Sequence, residues 1–170
     1  MPATIELVDR EPITYESAIN QDENFINKAA YVAATEAFYR QLGKERDAIA
    51  SVIRHHLNLG PSHTSTITVA PEKQWIRGSF NVCIPVEVGP PLWAGDDSGP
   101  QKLLLRCPFP FKLAEARYPG TVDEKLGCEV GAYAWMQDIC SDVRIPQLYG
   151  FGFSEQRQVR YAVCPSPTTR

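Results

Sequence analysis

The sequence predicts an α+β domain: an antiparallel five-stranded sheet with one packed helix, preceded by a helical extension. Three observations predict it. Two stretches between residues 24 and 59 repeat apolar residues at helical spacing. Several β-rich runs follow, separated by short turns or a hairpin loop, and strands joined in that way must run antiparallel. One further helical run, about 121–139, falls between the third and fourth strands, so it covers a face of their sheet.

Each element follows from its residues. Positions 1 to about 23 are acidic and polar, with Asp9, Glu11, Glu16, Asp22 and Glu23, and predict a loose arm or a short helix lying on the domain. Asn24 is the expected N-cap of a helix whose apolar positions are Phe25, Ile26, Ala29, Ala33, Phe38 and Leu42, with Gly43 as its stop. A second helix is expected from about Lys44 to Leu59, with Ile49, Val52, Ile53, His56 and Leu57 near one face, ended by Gly60-Pro61. Thr64–Val69 is β-rich. Gln74–Arg77 and Asn81–Val88 read as strands around the glycine-bearing turn Gly78-Ser79-Phe80. Gly89–Gln101 reads as an exposed loop, and Lys102–Cys107 as the third strand, closed by Pro108 and Pro110. Thr121 is the expected N-cap of the next helix, with Glu124 completing a capping box. Its inner stripe is Leu126, Val130, Tyr133 and Ala134. Gln147–Phe153 and Gln158–Val163 form a last hairpin, and the tail from Cys164 is expected to be unstructured. The division expected is 1–62, helical extension; 63–164, the sheet-bearing unit; 165–170, a disordered tail.

Composition narrows the function. With 170 residues, 44% hydrophobic and 22% charged, the chain has the make-up of an ordinary globular domain with a real core. A net charge of −3 excludes a broad nucleic-acid surface, which needs clustered Lys and Arg. Five cysteines form no C-x-x-C pair and no even framework, so free thiols in a reducing compartment are expected. No leader pattern opens the chain and no apolar run approaches the ~18 residues of a membrane span, so the expectation is a cytoplasmic protein with no membrane or nucleic-acid partner.

Arg106 and Glu129 carry the chemistry. Arg106 ends the apolar run Leu103-Leu104-Leu105, and Glu129 falls on the arc of the following helix between Met136 and Cys140. Charges so placed need partners. The simplest arrangement pairs them, although Lys125 or Arg144 could also answer Glu129. A paired guanidinium offers a planar fork to phosphate. At Gly78-Ser79-Phe80-Asn81 a glycine between strands lets backbone N–H groups approach a phosphate; the plain reading is an ordinary hairpin turn. His55, His56 and His63 read as structural or surface residues, Asp96-Asp97 as a solvated loop, and Trp75, Trp93 and Trp135 as packing. No metal set is expected. Asp142 is the last aspartate, Asn81 the last asparagine and His63 the last histidine. The aspartate base, asparagine ligand and metal-binding aspartate of kinase-type phosphoryl transfer therefore find no candidates after the last hairpin begins, and no catalytic residue is assigned.

Four segments in order, Gly78–Val86, Leu104-Leu105-Arg106, Asp123–Val130 and Ile145–Gly152, resemble the small lobe of fungal aminoglycoside-phosphotransferase-like proteins, relatives of choline kinase and the protein kinases. The resemblance spans about residues 70–155. It implies a kinase-like ATP-binding lobe, with Gly78, Ser79, Phe80 and Asn81 over the phosphates, Arg106 as the phosphate-gripping residue and Glu129 as its helix partner. It further implies an ATP-dependent phosphotransferase of small hydroxyl compounds, represented here by its small lobe. That lobe would be inactive alone, would bind ATP weakly or not at all, and would need the large lobe to hold Mg²⁺. The face on which that lobe docks would be open to a protein partner. Two rival expectations are a non-catalytic kinase-like adaptor or truncated gene product, and an α+β domain unrelated to nucleotides.

Overall fold

The computed structural model describes residues 3–8, 10–60, 64–89, 99–140 and 142–161. The chain is α+β with antiparallel sheets. A two-residue ribbon, β1 (Thr4–Ile5) and β2 (Ile13–Thr14), opens it, followed by α1 (Tyr15–Ile19), α2 (Phe25–Lys44) and α3 (Arg46–His56). The main sheet comprises β3 (Ile67–Val69), β4 (Ile76–Arg77), β5 (Asn81–Val88) and β6 (Gln101–Pro108). Then come α4 (Thr121–Ile139) and the hairpin β7 (Gly150–Gly152) and β8 (Gln158–Arg160).

β3 and β4 pair with opposite ends of the same edge of β5, and β6 pairs with the other edge along its whole length. The sheet is thus three strands wide. The expected five-stranded sheet is corrected here: β7 and β8 pair with each other in a separate two-stranded sheet. Their glycines explain the detachment in part. Side chains lie where β-carbons on Gly150 and Gly152 would stand, the His56 ring at the first and the Gln158 amide at the second. The hairpin therefore leans on α3 rather than on β6.

Alternation along β5 decides which face is the core. Val82, Ile84, Val86 and Val88 are all fully buried, and Leu103, Leu105 and Cys107 of β6 share their side. Ile49, Ile53 and Leu57 of α3 close that core, with Phe38, Tyr39 and Leu42 of α2 packed against it. Phe109, also fully buried, sits among Phe38, Tyr39 and Phe111. The core therefore unites α2 and α3 with the sheet. Arg46 staples the two by donating to the Val69 and Ala70 carbonyls, and Trp75 Nε1 donates to the Ala70 carbonyl at 2.9 Å. The expectation of one covering helix is corrected too: α2 and α3 cover the sheet, whereas α4 contributes no buried residue.

Helix ends differ from the expected signals in instructive ways. Asn24 caps α2 as its side chain accepts from the Asn27 N–H at 3.0 Å. Gly43 does not stop that helix; it lies inside the last turn, and Glu45 separates α2 from α3. α3 ends at His56, short of the expected Leu59, and Pro61 lies outside the described residues. Gly60 does not set the end of the helix. Asn58 does, with φ 56°. The Leu59 N–H bonds the Arg54 carbonyl and the Asn58 N–H the His55 carbonyl, which closes the helix with asparagine in the usual glycine position. The Thr121–Glu124 capping box does not form. Gly120, at φ 98°, is the N-cap, and the Glu115 carboxylate supplies the cap from outside the helix.

Pro90, Trp93, Asp96-Asp97, His63, Cys164 and the tail lie outside the described residues.

Candidate functional site

Arg106 alternates with Leu105 and Cys107, so its side chain leaves the sheet on the side away from α2 and α3. There α4 meets it. Arg106 Nη2 donates to Glu129 Oε1 at 3.2 Å, and Lys125, one turn earlier, also donates to Glu129. The pair is half-open to water, with Arg106 46% and Glu129 28% exposed. Of the alternatives left by the sequence, Glu129 takes Arg106 and Lys125 together.

A third partner was not anticipated for this role. Asn81 is 6% exposed and opens β5 beside Arg106. With its amide oxygen turned to the guanidinium it accepts from Nη2 at 2.7 Å and Nε at 3.1 Å, and its nitrogen donates to the Phe80 carbonyl at 3.2 Å. The reverse orientation sets donor against donor. Its single gain is a 3.5 Å contact from Lys125, at the limit of hydrogen bonding. Two bonds from a guanidinium outweigh it. Arg106 is therefore held by an amide on one side and a carboxylate on the other, and Lys125 raises the local positive charge.

The six residues expected to bind nucleotide are only partly brought together. Asn81, Arg106 and Glu129 form one cluster. Phe80 is exposed beside it. Gly78 and Ser79 are placed elsewhere: they line a cleft of about 410 Å³ with Arg10, Lys28, Arg77 and Lys112. Arg77 stands opposite Val82 in the ladder, so this cleft opens on the helix side of the sheet. Arg77 and Lys112 lie over the Phe109 ring, and Lys112 also over Tyr31. Glu23 pairs with both Arg10 and Lys28. The glycine turn is therefore bordered by cations on two faces. Sequence spacing could not separate these faces, because a tight turn of strands belongs to both.

Next to Arg106 the open face of the sheet is apolar. The ladder sets Ile76, Cys83 and Arg106 in one row and Pro85 and Leu104 in the next. Ile76 is 57% and Leu104 60% exposed. Cys83, Cys107, Cys128 and Cys140 are free thiols, and burial pushes Cys107 up to about 12. That thiol stays protonated and inert at neutral pH. No group of three His, Cys, Asp or Glu side chains among the described residues could hold a metal ion, and no helix among them is long and apolar enough to cross a membrane.

Comparison with known protein families, with curated proteins and with solved structures finds no match to this chain.

Proposed function

We propose that this chain is the ATP-binding small-lobe portion of a kinase-like phosphotransferase of the aminoglycoside-phosphotransferase type, acting on small hydroxyl compounds and inactive by itself. Arg106 is the phosphate grip, and Glu129 and Asn81 hold it. Phe80 and Asn81 are the part of the glycine turn that borders the phosphates, while Gly78 and Ser79 line the cleft on the other face. The observation that carries the reading is Arg106 fixed between a buried amide and a helix carboxylate. A guanidinium oriented in advance keeps a planar fork of donors ready for phosphate and loses little freedom on binding. Ile76 in the same row as Arg106, with Pro85 and Leu104 in the next row, gives an apolar surface for a purine. No group of three His, Cys, Asp or Glu side chains among the described residues offers a metal site, and on this reading Mg²⁺ would be held with the large lobe. The cytoplasm, where free thiols persist, is the setting this reading assigns.

The test is titration of ATP into the purified chain, followed by the Arg106 Nε–H and Asn81 side-chain NMR signals. Movement of both signals in the native chain, with the Asn81 movement lost in Arg106→Ala, supports the reading. Equal ATP binding by Arg106→Ala would overturn it. Phosphoryl transfer by the purified chain would overturn the inactivity.

A second reading, a non-catalytic kinase-like adaptor that binds a protein partner, is favoured by apolar exposure on two surfaces. These are Ile76 and Leu104 on the sheet, and Trp135 and Ile139 on α4. A defined complex that survives Arg106→Ala and is lost in Leu104→Asp would support it over the first.

A further inference from the structure

At the foot of the β7–β8 hairpin Tyr149 packs on the core and its hydroxyl accepts from Gln101 at 2.6 Å. Beyond that foot, polar side chains fasten the hairpin to the domain. His56 Nε2 bonds Gln158 Oε1 at 2.9 Å. Arg160 donates to Asn58 Oδ1 at 2.8 Å and reaches His55 Nδ1 at 3.3 Å. At the far end the Ser154 N–H and hydroxyl donate to Asp123 in the first turn of α4. One end thus grips α3 and the other α4.

His56 is the unusual member. Gln158 Oε1 is an acceptor, so the proton of the neutral ring sits on Nε2 and Nδ1 is bare. That Nδ1 is buried without a hydrogen-bond partner and lies against Gly150, where a β-carbon would overlap the ring. A second proton would put an N–H donor in a site with no acceptor, a costly arrangement. The groups facing His56 add to that cost. They are Arg160 from β8 and His55 from its own helix, whose ring lies edge-on at 5.3 Å. No carboxylate is among the charges acting on it.

We propose that the β7–β8 hairpin is a hinged flap latched by neutral His56, and that protonation of His56 in mild acid releases the flap while the α2–α3–sheet core stays folded. Desolvation leads in holding the folded His56 below its ordinary value, against the opposing hydrogen bond to Gln158 and with smaller contributions from His55 and Arg160. The sign follows. The released state binds the proton more readily, so the latch is complete above the ordinary histidine value of about 6.5. It weakens as pH falls through that value toward the depressed one, by tenfold in the latching equilibrium per pKa unit of depression. This inference does not depend on the nucleotide reading.

NMR from about pH 7.5 to about pH 5.5, the histidine range, tests it on the whole chain. The Gly150 α-proton signals, under the His56 ring, report the latch, and hydrogen exchange of the Ser154 amide reports the far end. The expected result is that both change together with the His56 titration while β5 amides keep their protection. His56→Gln, which cannot titrate, should show no transition in this range. Gly150→Ala should leave the flap open at every pH and return the His56 titration to its ordinary value. His56 titrating with unmoved Gly150 signals, or the same transition in His56→Gln, would overturn the proposal.

Discussion

The Glu115 carboxylate accepts a 2.7 Å hydrogen bond from the Gly120 N–H and so caps α4 from five residues upstream. It also accepts from the Val122 N–H at 2.7 Å and the Thr121 hydroxyl at 2.8 Å. The backbone bonds from Gly120 and Val122 lead in lowering its pKa. Glu115→Gln should therefore lower the melting temperature at neutral pH more than Glu124→Gln, although the sequence alone points to Glu124. The carboxylate is favoured in the folded state, so its contribution is whole above the ordinary glutamate value. It is lost as pH falls through the lower folded value. Melting curves of both variants at neutral pH and in acid check the order and its disappearance.

Arg106 and Glu129 are half-exposed, which places their coupling at about 0.2–1 kcal/mol rather than at the larger cost of a buried pair. A double-mutant cycle of Arg106→Ala and Glu129→Ala, read by urea unfolding, should return a value in that range. The coupling should shrink at about 1 M salt, where charges are screened within ~3 Å. A coupling that ignored salt would count against a solvent-bathed pair.

The two faces of β5–β6 should respond oppositely to truncation. Ile84 is fully buried, and Ile84→Ala should cost about 2–5 kcal/mol. Leu104 stands on the open face, and Leu104→Ala should stay within about 0.5 kcal/mol. Chemical denaturation of the two variants decides it; similar losses would mean that the open face is covered.

Glycines inside helices with free space beyond them should tolerate alanine. A β-carbon at Gly43 in α2 or at Gly131 in α4 meets nothing within 4 Å. Each Gly→Ala change should stabilise by roughly 0.5–1 kcal/mol, by raising helix propensity. Thermal melts should show each as a gain of a few degrees.

The sequence carried the parts of the fold that depend on local pattern. β5 alternates with a period of two, α2 and α3 keep apolar residues at helical spacing, and Arg106 and Glu129 declare each other because charges in apolar runs need partners. The Leu103-Leu104-Leu105 run, by contrast, hid that Leu104 faces the open side, and the apolar stripe of α4 buries no residue. What stayed hidden depends on distance in space. Glu115 sits in a connector, and nothing local shows that its carboxylate turns back onto the α4 backbone. Asn58 ends α3 because its backbone tolerates the left-handed conformation and Arg160, over a hundred residues later, takes its side chain. Gly150 and Gly152 read as ordinary strand positions of the last hairpin, whereas they make room for His56 and Gln158. The division of the glycine turn between two cationic faces was equally illegible, since a sequence gives order along the chain and not the side on which a cleft opens.

β6 is hydrogen-bonded along one edge only among the described residues, because β3 and β4 share the far edge of β5. A strand with one free edge is a template for a second chain, the route by which sheets add strands and aggregate. Lys102, Arg106 and Pro108 fall at intervals along it. Two positive charges and a missing donor are the features that discourage such an addition. Arg106 thus also stands as a guard against self-association: replacing it with an apolar residue should make concentrated solutions of this protein more prone to form fibrillar or amorphous aggregates.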